Sequence, residues 1–261
     1  MFKTALQTIT WGDPQHHLFD TIFAQAKADG FDAVEIGFRR LGQVTPEAAR
    51  TLLDAHRLAL SASHVGGNLA DLAQAEDERS GLSRVLDYLE ALDSRYLIYS
   101  GLNVSDDEAL TEELKRIAAF ADQCAARGVQ LLFHNHDWEY RNGQHIWRRL
   151  LGYGIETLGF APDLGWAVKG GHRMADLLEE IGARVHMLHF KDFLSWEDGQ
   201  NTCHLGDGVV DFTPGWEWLA TLPDDCDIWI TAEQDFAEDN AAACTANADY
   251  LRRHLREIIG T

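Results

Sequence analysis

The sequence is poor in basic residues: its 261 residues include 22 Lys and Arg against 42 Asp and Glu, a formal net charge of −20. Because proteins bind nucleic acids largely through Lys and Arg that displace counterions from phosphates, we expect no nucleic-acid partner. Anionic membranes are disfavoured for the same reason. A small neutral substrate fits this charge better than a polyanion.

Long apolar runs and paired cysteines are also missing. No stretch approaches the ~20 apolar residues of a membrane-spanning helix, and the N-terminus lacks a signal-peptide pattern. The four cysteines, at 124, 203, 226 and 244, show no C-x-x-C spacing and predict reduced thiols rather than disulfides or a zinc site. We therefore expect a cytoplasmic protein with no membrane partner.

What the sequence does contain is a regular alternation of short apolar segments and longer amphipathic ones, the pattern of parallel βα units. Strands are predicted at 3–8, 31–36, 59–64, 96–99, 129–136, 157–163, 185–191 and 228–233. Eight units without a linker predict a single (β/α)₈ TIM barrel, one domain over residues 1–261. The alternative is a doubly wound sheet, which the lack of a G-x-G-x-x-G turn after the first strand disfavours.

Helix signals lie between these strands. Residues 17–29 have apolar positions at helical spacing and stop at Gly30, which predicts a left-handed glycine there. Thr45 followed by Pro46 predicts an N-cap and a first-turn proline. Further helical patterns cover 82–92, 144–152, 173–182, 214–221 and 240–258.

Polar side chains collect at the predicted carboxyl ends of the strands, which in a barrel share one face where binding and catalysis are expected. These ends hold Glu35, His64, His134, His136, Asp163, His189, Lys191, Asp192 and Glu233. Singly, each has a structural explanation: a His on a strand is more often a hydrogen-bonded core residue than a ligand, and Asp163 can simply cap the next segment. Together, buried charges from neighbouring strands are costly unless paired or bound to a metal.

Strand periodicity predicts which side chains point inward. Residues two apart on a strand share a face, so His134 and His136 are expected to point the same way. The same holds for His189 and Lys191.

Carboxylates and imidazoles that converge in this way predict one divalent metal ion. Such donors suit Mn²⁺, Co²⁺, Zn²⁺ or Fe²⁺ better than a calcium cage, and Mg²⁺ is a further candidate; Mn²⁺ is our prediction. Trp11 and Trp166 lie just beyond strands and either stack on the faces of a sugar or only shield the cavity.

The sequence resembles the xylose isomerase-like sugar isomerase/epimerase superfamily in five stretches: FHNHDWEY (133–140), APDLGWAVKGG (161–171), LHFKD (188–192), LGDGVVDF (205–212) and AEQDF (232–236). The resemblance covers essentially the whole chain and implies a barrel whose metal is held after strands five to eight. It implies Asp163, His189 and Glu233 as ligands. At strand five this sequence has His134 where superfamily epimerases have Glu. We predict Glu139 as the fourth ligand, with His134 as the alternative.

The resemblance implies a metal-dependent isomerase or epimerase that removes a proton next to the carbonyl of a sugar or sugar derivative. Superfamily epimerases use two metal-bound glutamates as acid and base, and an imidazole that titrates near neutral pH can take one of those roles here. The predicted catalytic residues are His134, His136, Glu233 and Lys191. The predicted substrate contacts are Glu35, His64, Trp11, Trp166 and Asp192.

Other functions stay open. A dehydratase or lyase acting by β-elimination on a keto-inositol or a 3-keto-glycoside fits the His at strand five. An abasic-site endonuclease shares the superfamily fold but conflicts with the net charge of −20. A sugar-binding barrel without metal is a further alternative. Barrels of this type often pair, so a homodimer is the assembly to test.

Overall fold

The computed structural model describes residues 2–66, 72–101, 103–104, 106–197, 201–223 and 225–259, with the backbone alone at 72, 74, 75, 77–79 and 259. The strands of the barrel are β1 (Lys3–Gln7), β2 (Ala33–Gly37), β3 (Ala59–Gly66), β4 (Tyr96–Ser100), β5 (Gln130–Phe133), β6 (Leu158–Phe160), β7 (Met187–Phe190) and β10 (Trp229–Ala232). Two short strands, β8 (Asp192–Phe193) and β9 (Thr202–Cys203), form an antiparallel hairpin beside them.

The eight barrel strands, all within the described ranges, are parallel and follow the order β6-β5-β4-β3-β2-β1-β10-β7. Two isolated β-bridges, Phe160 to Val185 and Asp163 to His189, join the two edges of this sheet, at β6 and β7. The sheet is therefore a nearly closed ring, and the predicted (β/α)₈ TIM barrel is confirmed.

Helices between the strands cover the outside of the ring. They are α1 (Phe19–Ala28), α2 (Phe38–Leu41), α3 (Pro46–His56), α4 (Leu72–Ala91), α5 (Asp107–Ala126), α6 (Arg141–Tyr153), α7 (Leu164–Lys169), α8 (Met174–Ile181), α9 (Thr213–Ala220) and α10 (Asn240–Ile259). The predicted cap of α3 is confirmed, because the Thr45 hydroxyl accepts a hydrogen bond from the Ala48 amide at 3.2 Å, with Pro46 in the first turn. Gly30, after α1, has the predicted positive φ of 88°.

Inside the ring, each strand or its immediate extension contributes one side chain to an apolar cluster. This apolar layer consists of Ala5, Ala33, Ala62, Ile98, Leu132, Ala161, Met187 and Trp229. The alanines leave room in the narrow interior for the larger side chains of Leu132, Met187 and Trp229. A packed interior of this kind is typical of TIM barrels, whose lumen is a core and not a pore.

Two residues further along each strand, the inward positions are polar. This polar layer consists of Gln7, Glu35, His64, Ser100, His134, Asp163, His189 and Thr231, together with Lys191 and Glu233, which lie two residues beyond His189 and Thr231. Because residues two apart share a face, a side chain of the polar layer lies above each member of the apolar layer, toward the carboxyl ends of the strands. The fold thus collects the predicted site residues at one end of the barrel.

Candidate active site

The centre of the polar layer is a cluster of three buried side chains. His134, His189 and Glu233 each offer a ligand atom, and these atoms lie within 4.8 Å of one another. His189 Nδ1 is 2.5 Å from Glu233 Oε2, and its Nε2 is 2.9 Å from Glu35 Oε2. Burial opposes the charged form of His189, but Glu35 and Glu233 outweigh it and raise its pKa to about 10. A positive charge is therefore favoured between these carboxylates.

Asp163 serves two neighbours at once. Its Oδ1 accepts a hydrogen bond from the Trp166 amide at 2.8 Å and so caps α7. Its Oδ2 has no hydrogen-bond partner in the part of the chain that the structure describes, and it lies 3.6 Å from Lys191 Nζ and 4.0 Å from His134 Nε2. The Asn135 amide holds the Asp163 backbone through bonds of 3.0 and 3.1 Å. The capping interpretation is confirmed, and one oxygen still faces the cluster.

Lys191 is buried beside this cluster with carboxylates around its ammonium group. Nζ lies 3.0 Å from Glu233 Oε1 and 3.0 Å from Asp235 Oδ1. Burial opposes the charge of Lys191, but Asp235 and Glu233 outweigh it and raise its pKa. Burial would raise the pKa of Glu233, but Lys191 and His189 hold it well below its ordinary value. Asp235 was not among the predicted site residues, although it lies two residues after Glu233 and so on the same face.

Strand β5 ends at Phe133, earlier than predicted, because the chain leaves the ladder after His134 and turns into a 3₁₀ helix at Trp138–Tyr140. His134 and His136 nevertheless both line the cavity. His136 stacks on Trp138, with 4.0 Å between ring centroids and 9° between ring planes. Burial lowers the pKa of His134 and lowers that of His136 to about 3. A lowered pKa favours the neutral form of each imidazole, in which one ring nitrogen offers a lone pair.

Glu139 is buried but lies outside the metal-ligand cluster of the described residues. Its Oε2 accepts a hydrogen bond from the backbone amide of His136 at 2.8 Å, and burial raises its pKa to about 8. The geometry favours His134 over Glu139 at the strand-five position. The role of Glu139 as a ligand stays a prediction.

The predicted substrate contacts have different surroundings. Glu35 lies beside the cluster, with its Oε2 2.9 Å from His189 Nε2, and its Oε1 accepts a hydrogen bond from Gln7 Nε2 at 2.6 Å. His64, whose Nε2 is 2.9 Å from Ser100 Oγ, lines the cavity, as does Trp166. Trp11 is partly buried, packs against the hydrophobic core and is not among the described residues that line the cavity.

Asp192, which was predicted to contact substrate, forms hydrogen bonds to the backbone of its own loop region. Its two carboxylate oxygens accept hydrogen bonds from backbone amides at four positions: Phe193, Gly206, Gly208 and Val210. These bonds tie the 205–212 segment to the end of β7, and Asp192 is fully buried. Its contacts support a role in loop structure, and its contact with substrate stays a prediction.

The residues present fit a divalent cation. Buried polar atoms without a hydrogen-bond partner among the described residues include Asp163 Oδ2, His134 Nδ1 and Thr231 Oγ1. Such atoms are rare in folded proteins and call for an explanation, of which an ion is one. Two imidazoles and two carboxylates, from His134, His189, Asp163 and Glu233, form a donor set suited to first-row divalent metals.

Comparison with known proteins agrees with this geometry. Residues 23–254 match the family described as xylose isomerase-like TIM barrel. The chain belongs to this family. It is 23% identical over 277 residues to an inosose dehydratase from Geobacillus kaustophilus (strain HTA426), with 90% of this chain and 88% of that relative covered. It is 22% identical over 254 residues to an inosose dehydratase from Lacticaseibacillus casei, with 85% and 84% covered.

Solved structures of other proteins show the same fold. D-allulose 3-epimerase from Methylomonas sp. superimposes with a TM-score of 0.79 at 17% identity, covering 97% of this chain and 98% of that chain. A probable 3-DHS dehydratase from Bacillus anthracis superimposes with a TM-score of 0.77 at 16% identity, covering 96% and 98%. A xylose isomerase-like barrel from Mycobacterium smegmatis, solved in complex with magnesium, gives 0.74 at 15%, covering 98% and 97%.

The two relatives found by sequence are both named inosose dehydratases, which supports an enzymatic role for this member of the family. None of the helices in the described ranges is long and apolar enough to cross a membrane. The identity of the metal, the cytoplasmic location, the homodimer and the lack of a nucleic-acid partner stay predictions.

Proposed function

We propose that this chain is a metal-dependent lyase that eliminates water, or another β-leaving group, from a keto-inositol or related keto-sugar. The observation that carries the proposal is the composition of the cluster: Glu233 is its one carboxylate, and imidazole stands at the strand-five position. Epimerisation removes a proton from one face of a carbon and returns one to the other face, which requires two groups. Elimination can use a single group that takes the proton and returns it to the leaving oxygen.

In this proposal Glu233 accepts the proton from the carbon next to the carbonyl, with its carboxylate held between His189 and Lys191. The electron pair of that C–H bond forms a carbon–carbon double bond while the β C–O bond breaks. The departing oxygen receives a proton and leaves as water or as an alcohol. Lys191, which also forms an ion pair with Asp235, would stabilise the negative charge that develops on the carbonyl oxygen of the substrate.

A divalent cation, for which we propose Mn²⁺, held by His134, Asp163, His189 and Glu233 would polarise the substrate carbonyl and favour loss of the adjacent proton. Proton transfer by a positioned side chain contributes typically 10²–10⁴-fold to a rate. Asn135 and the capping bond of Asp163 hold this side of the site in place before substrate binds.

The test is incubation of the Mn²⁺-loaded protein with a keto-inositol in D₂O, followed by mass spectrometry of the products. We expect a product that has lost water, and no such product from protein treated with a chelator. A product of unchanged formula that has gained deuterium would contradict elimination.

The second candidate is the isomerase or epimerase of the sequence analysis. It is supported by His136, which lines the same cavity as Glu233 and offers a second group for proton transfer. Deuterium incorporation into a ketohexose, with formation of its epimer, would favour this candidate. The Glu233→Gln variant should abolish either reaction, whereas His136→Gln should impair epimerisation much more than elimination.

A further inference from the structure

The turn that carries Glu233 and Asp235 is held from behind by Gln234. Glu233 and Asp235 line the cavity, whereas Gln234, between them, is buried on the opposite face of the chain. The Gln234 carbonyl accepts a hydrogen bond from the Thr10 hydroxyl at 2.6 Å, and Gln234 Nε2 donates one to the Phe236 carbonyl at 2.9 Å. One bound carbonyl precedes Asp235 and the other follows it, which restricts the position of the Asp235 carboxylate.

Asn247, in α10, connects this turn to a second segment at the same end of the barrel. Its Nδ2 donates a hydrogen bond to Gln234 Oε1 at 3.1 Å. Its Oδ1 accepts a hydrogen bond from the Leu205 amide at 2.8 Å. Leu205 begins the 205–212 segment, whose amides bind the Asp192 carboxylate. Hydrogen bonds therefore link the end of β7 to the turn after β10.

The surroundings of Asn247 on its own helix are apolar. Ala243 and Leu251, one turn before and one turn after on the same face of α10, are buried, and Asn247 is only 2% exposed. A buried amide side chain costs stability unless it is hydrogen-bonded, whereas an apolar side chain would pack here without any partner. An amide at such a position points to a specific role for its two hydrogen bonds.

The two linked segments carry charged groups that meet inside the cavity. Lys191 Nζ is 3.0 Å from Glu233 Oε1 and 3.0 Å from Asp235 Oδ1. We propose that Asn247 is a positioning residue, which holds these groups at their observed distances by joining the two segments from outside the site. Asn247 is not among the described residues that line the cavity, so it acts through those segments. The inference rests on the proposed function only for the reaction that the charged groups perform.

The test replaces Asn247 by leucine, which has a similar size and suits the apolar face of α10 but forms neither hydrogen bond. Hydrogen–deuterium exchange followed by mass spectrometry reports on the backbone and requires neither metal nor substrate. In Asn247→Leu we expect faster exchange in both linked segments, at 205–210 and at 233–236. If Asn247 only docks α10 on the barrel, exchange at 233–236 should stay unchanged.

Two further variants complete the test. Gln234→Met removes the same connection from its other end, so exchange at 205–210 should rise there too; this variant decides the matter if Asn247→Leu does not fold. The matched control is Ala243→Gly, one turn earlier on the same face, which weakens α10 through the low helix propensity of glycine but keeps the hydrogen bonds of Asn247. The control should leave exchange in both segments unchanged.

The effect on the site is measured by calorimetric titration with Mn²⁺ and by steady-state kinetics on a keto-inositol. Loss of a residue that orients an active-site group from behind typically costs about 10–100-fold in metal affinity or activity. Because Asn247 acts through two segments, we expect the lower end, about tenfold, in Mn²⁺ affinity and in kcat, with KM unchanged. The double variant Asn247→Leu/Gln234→Met should lose no more than the more affected single variant, because both substitutions break one connection.

Each outcome decides the inference. Faster exchange in both segments, with losses of Mn²⁺ affinity and kcat that are absent in Ala243→Gly, supports it. Unchanged exchange at 233–236, equal losses in Ala243→Gly, a change in KM alone, or faster exchange with unchanged Mn²⁺ affinity and kcat would overturn it. Failure of the unsubstituted protein to convert a keto-inositol would remove the proposed function, and exchange and Mn²⁺ affinity would still decide the role of Asn247.

Discussion

The apolar layer and the polar layer come from the same strands, two residues apart. They differ in whether the side chains within each layer fill its space and pair its polar atoms. The apolar layer is complete in itself, because Leu132, Met187 and Trp229 fill the space that the alanines leave. The polar layer is not: Asp163 Oδ2 and His134 Nδ1 have no hydrogen-bond partner among the described residues. One layer is explained by packing, whereas the other keeps buried polar atoms that a bound ion would satisfy.

The charges of the polar layer support the same contrast. Carboxylates of Glu35, Asp163 and Glu233 share a small buried volume with the imidazole of His189 and the ammonium group of Lys191. Burial of ion pairs gains little stability and can reduce it, because desolvation costs several kcal/mol per ion. Strongly perturbed charges that cluster in a cleft are typical of functional sites. Substitutions in the two layers should therefore affect different properties.

The largest expected effect is on catalysis, at the polar layer. Glu233→Gln keeps the shape of the side chain but removes the carboxylate that is 3.0 Å from Lys191. We expect kcat to fall by about 10²–10⁴-fold, the usual contribution of general acid–base catalysis. Steady-state kinetics on a keto-inositol measure this, and Glu217→Gln on the exposed surface of α9 is the control. Retention of more than a tenth of the activity would remove Glu233 from the mechanism.

The next effect is on stability, at the apolar layer. Leu132 is fully buried, and Leu132→Ala leaves a cavity in the barrel interior, which should lower the free energy of unfolding by about 2–5 kcal/mol. Urea denaturation measures the loss. Leu132→Met, which nearly conserves volume, is the control and should lose less than about 1.5 kcal/mol. An unfolding free energy close to that of the unsubstituted protein would mean that the apolar layer does not stabilise the barrel.

Metal binding should distinguish the layers directly. Mn²⁺ at 100 times its dissociation constant should add about 2.7 kcal/mol to the free energy of unfolding, because the ion binds the folded chain alone. His189→Ala, in the polar layer, should abolish this gain, and Leu132→Ala should leave it intact. Thermal unfolding with and without the ion measures both. A gain that persists in His189→Ala would place the ion elsewhere.

The sequence predicted the barrel well because two patterns are strong in it. One is the alternation of short apolar segments with longer amphipathic ones, and the other is the two-residue alternation of side chains along each strand. The predicted strands overlap the observed ones throughout, and the alternation of side chains correctly placed His134 above Leu132 and His189 above Met187. The periodicity applies only as long as the chain stays extended. At strand five the prediction ran to 136, but β5 ends at Phe133.

The contacts beyond the strand ends could not be predicted, because they depend on the path of each loop. Glu139 is five residues after His134, and the 3₁₀ helix returns its carboxylate to the backbone amide of His136. Asp192 directly follows Lys191, yet its oxygens bind four backbone amides of its own loop region. Asp235 differs from these two residues, because the alternation that placed Glu233 also places Asp235 on the same face, where it contacts Lys191.

The smallest expected effect is on metal affinity, through a residue beside the proposed ligands. Glu35 lies 2.9 Å from His189 Nε2, while Nδ1 of the same ring faces Glu233. A carboxylate behind a ligating histidine orients the ring and raises its basicity, and its loss typically weakens metal binding by about 10–100-fold. We expect this of Glu35→Gln, with Gln7 still able to hold the amide through its hydrogen bond.

Calorimetric titration with Mn²⁺ measures the affinity of Glu35→Gln, and Asp20→Asn is the matched control, because Asp20 also contacts a histidine nitrogen, His56 Nε2, at 2.8 Å but on the surface. If both variants bind Mn²⁺ like the unsubstituted protein, Glu35 belongs to the substrate contacts of the sequence analysis. If Glu35→Gln alone binds weakly, the metal-binding function of the polar layer extends to β2, two strands from β10, the nearest strand that carries a proposed ligand. Glu35 is not a proposed ligand, and yet it would serve metal binding. The difference between a layer that packs and a layer that binds would then include a residue outside the ligand set.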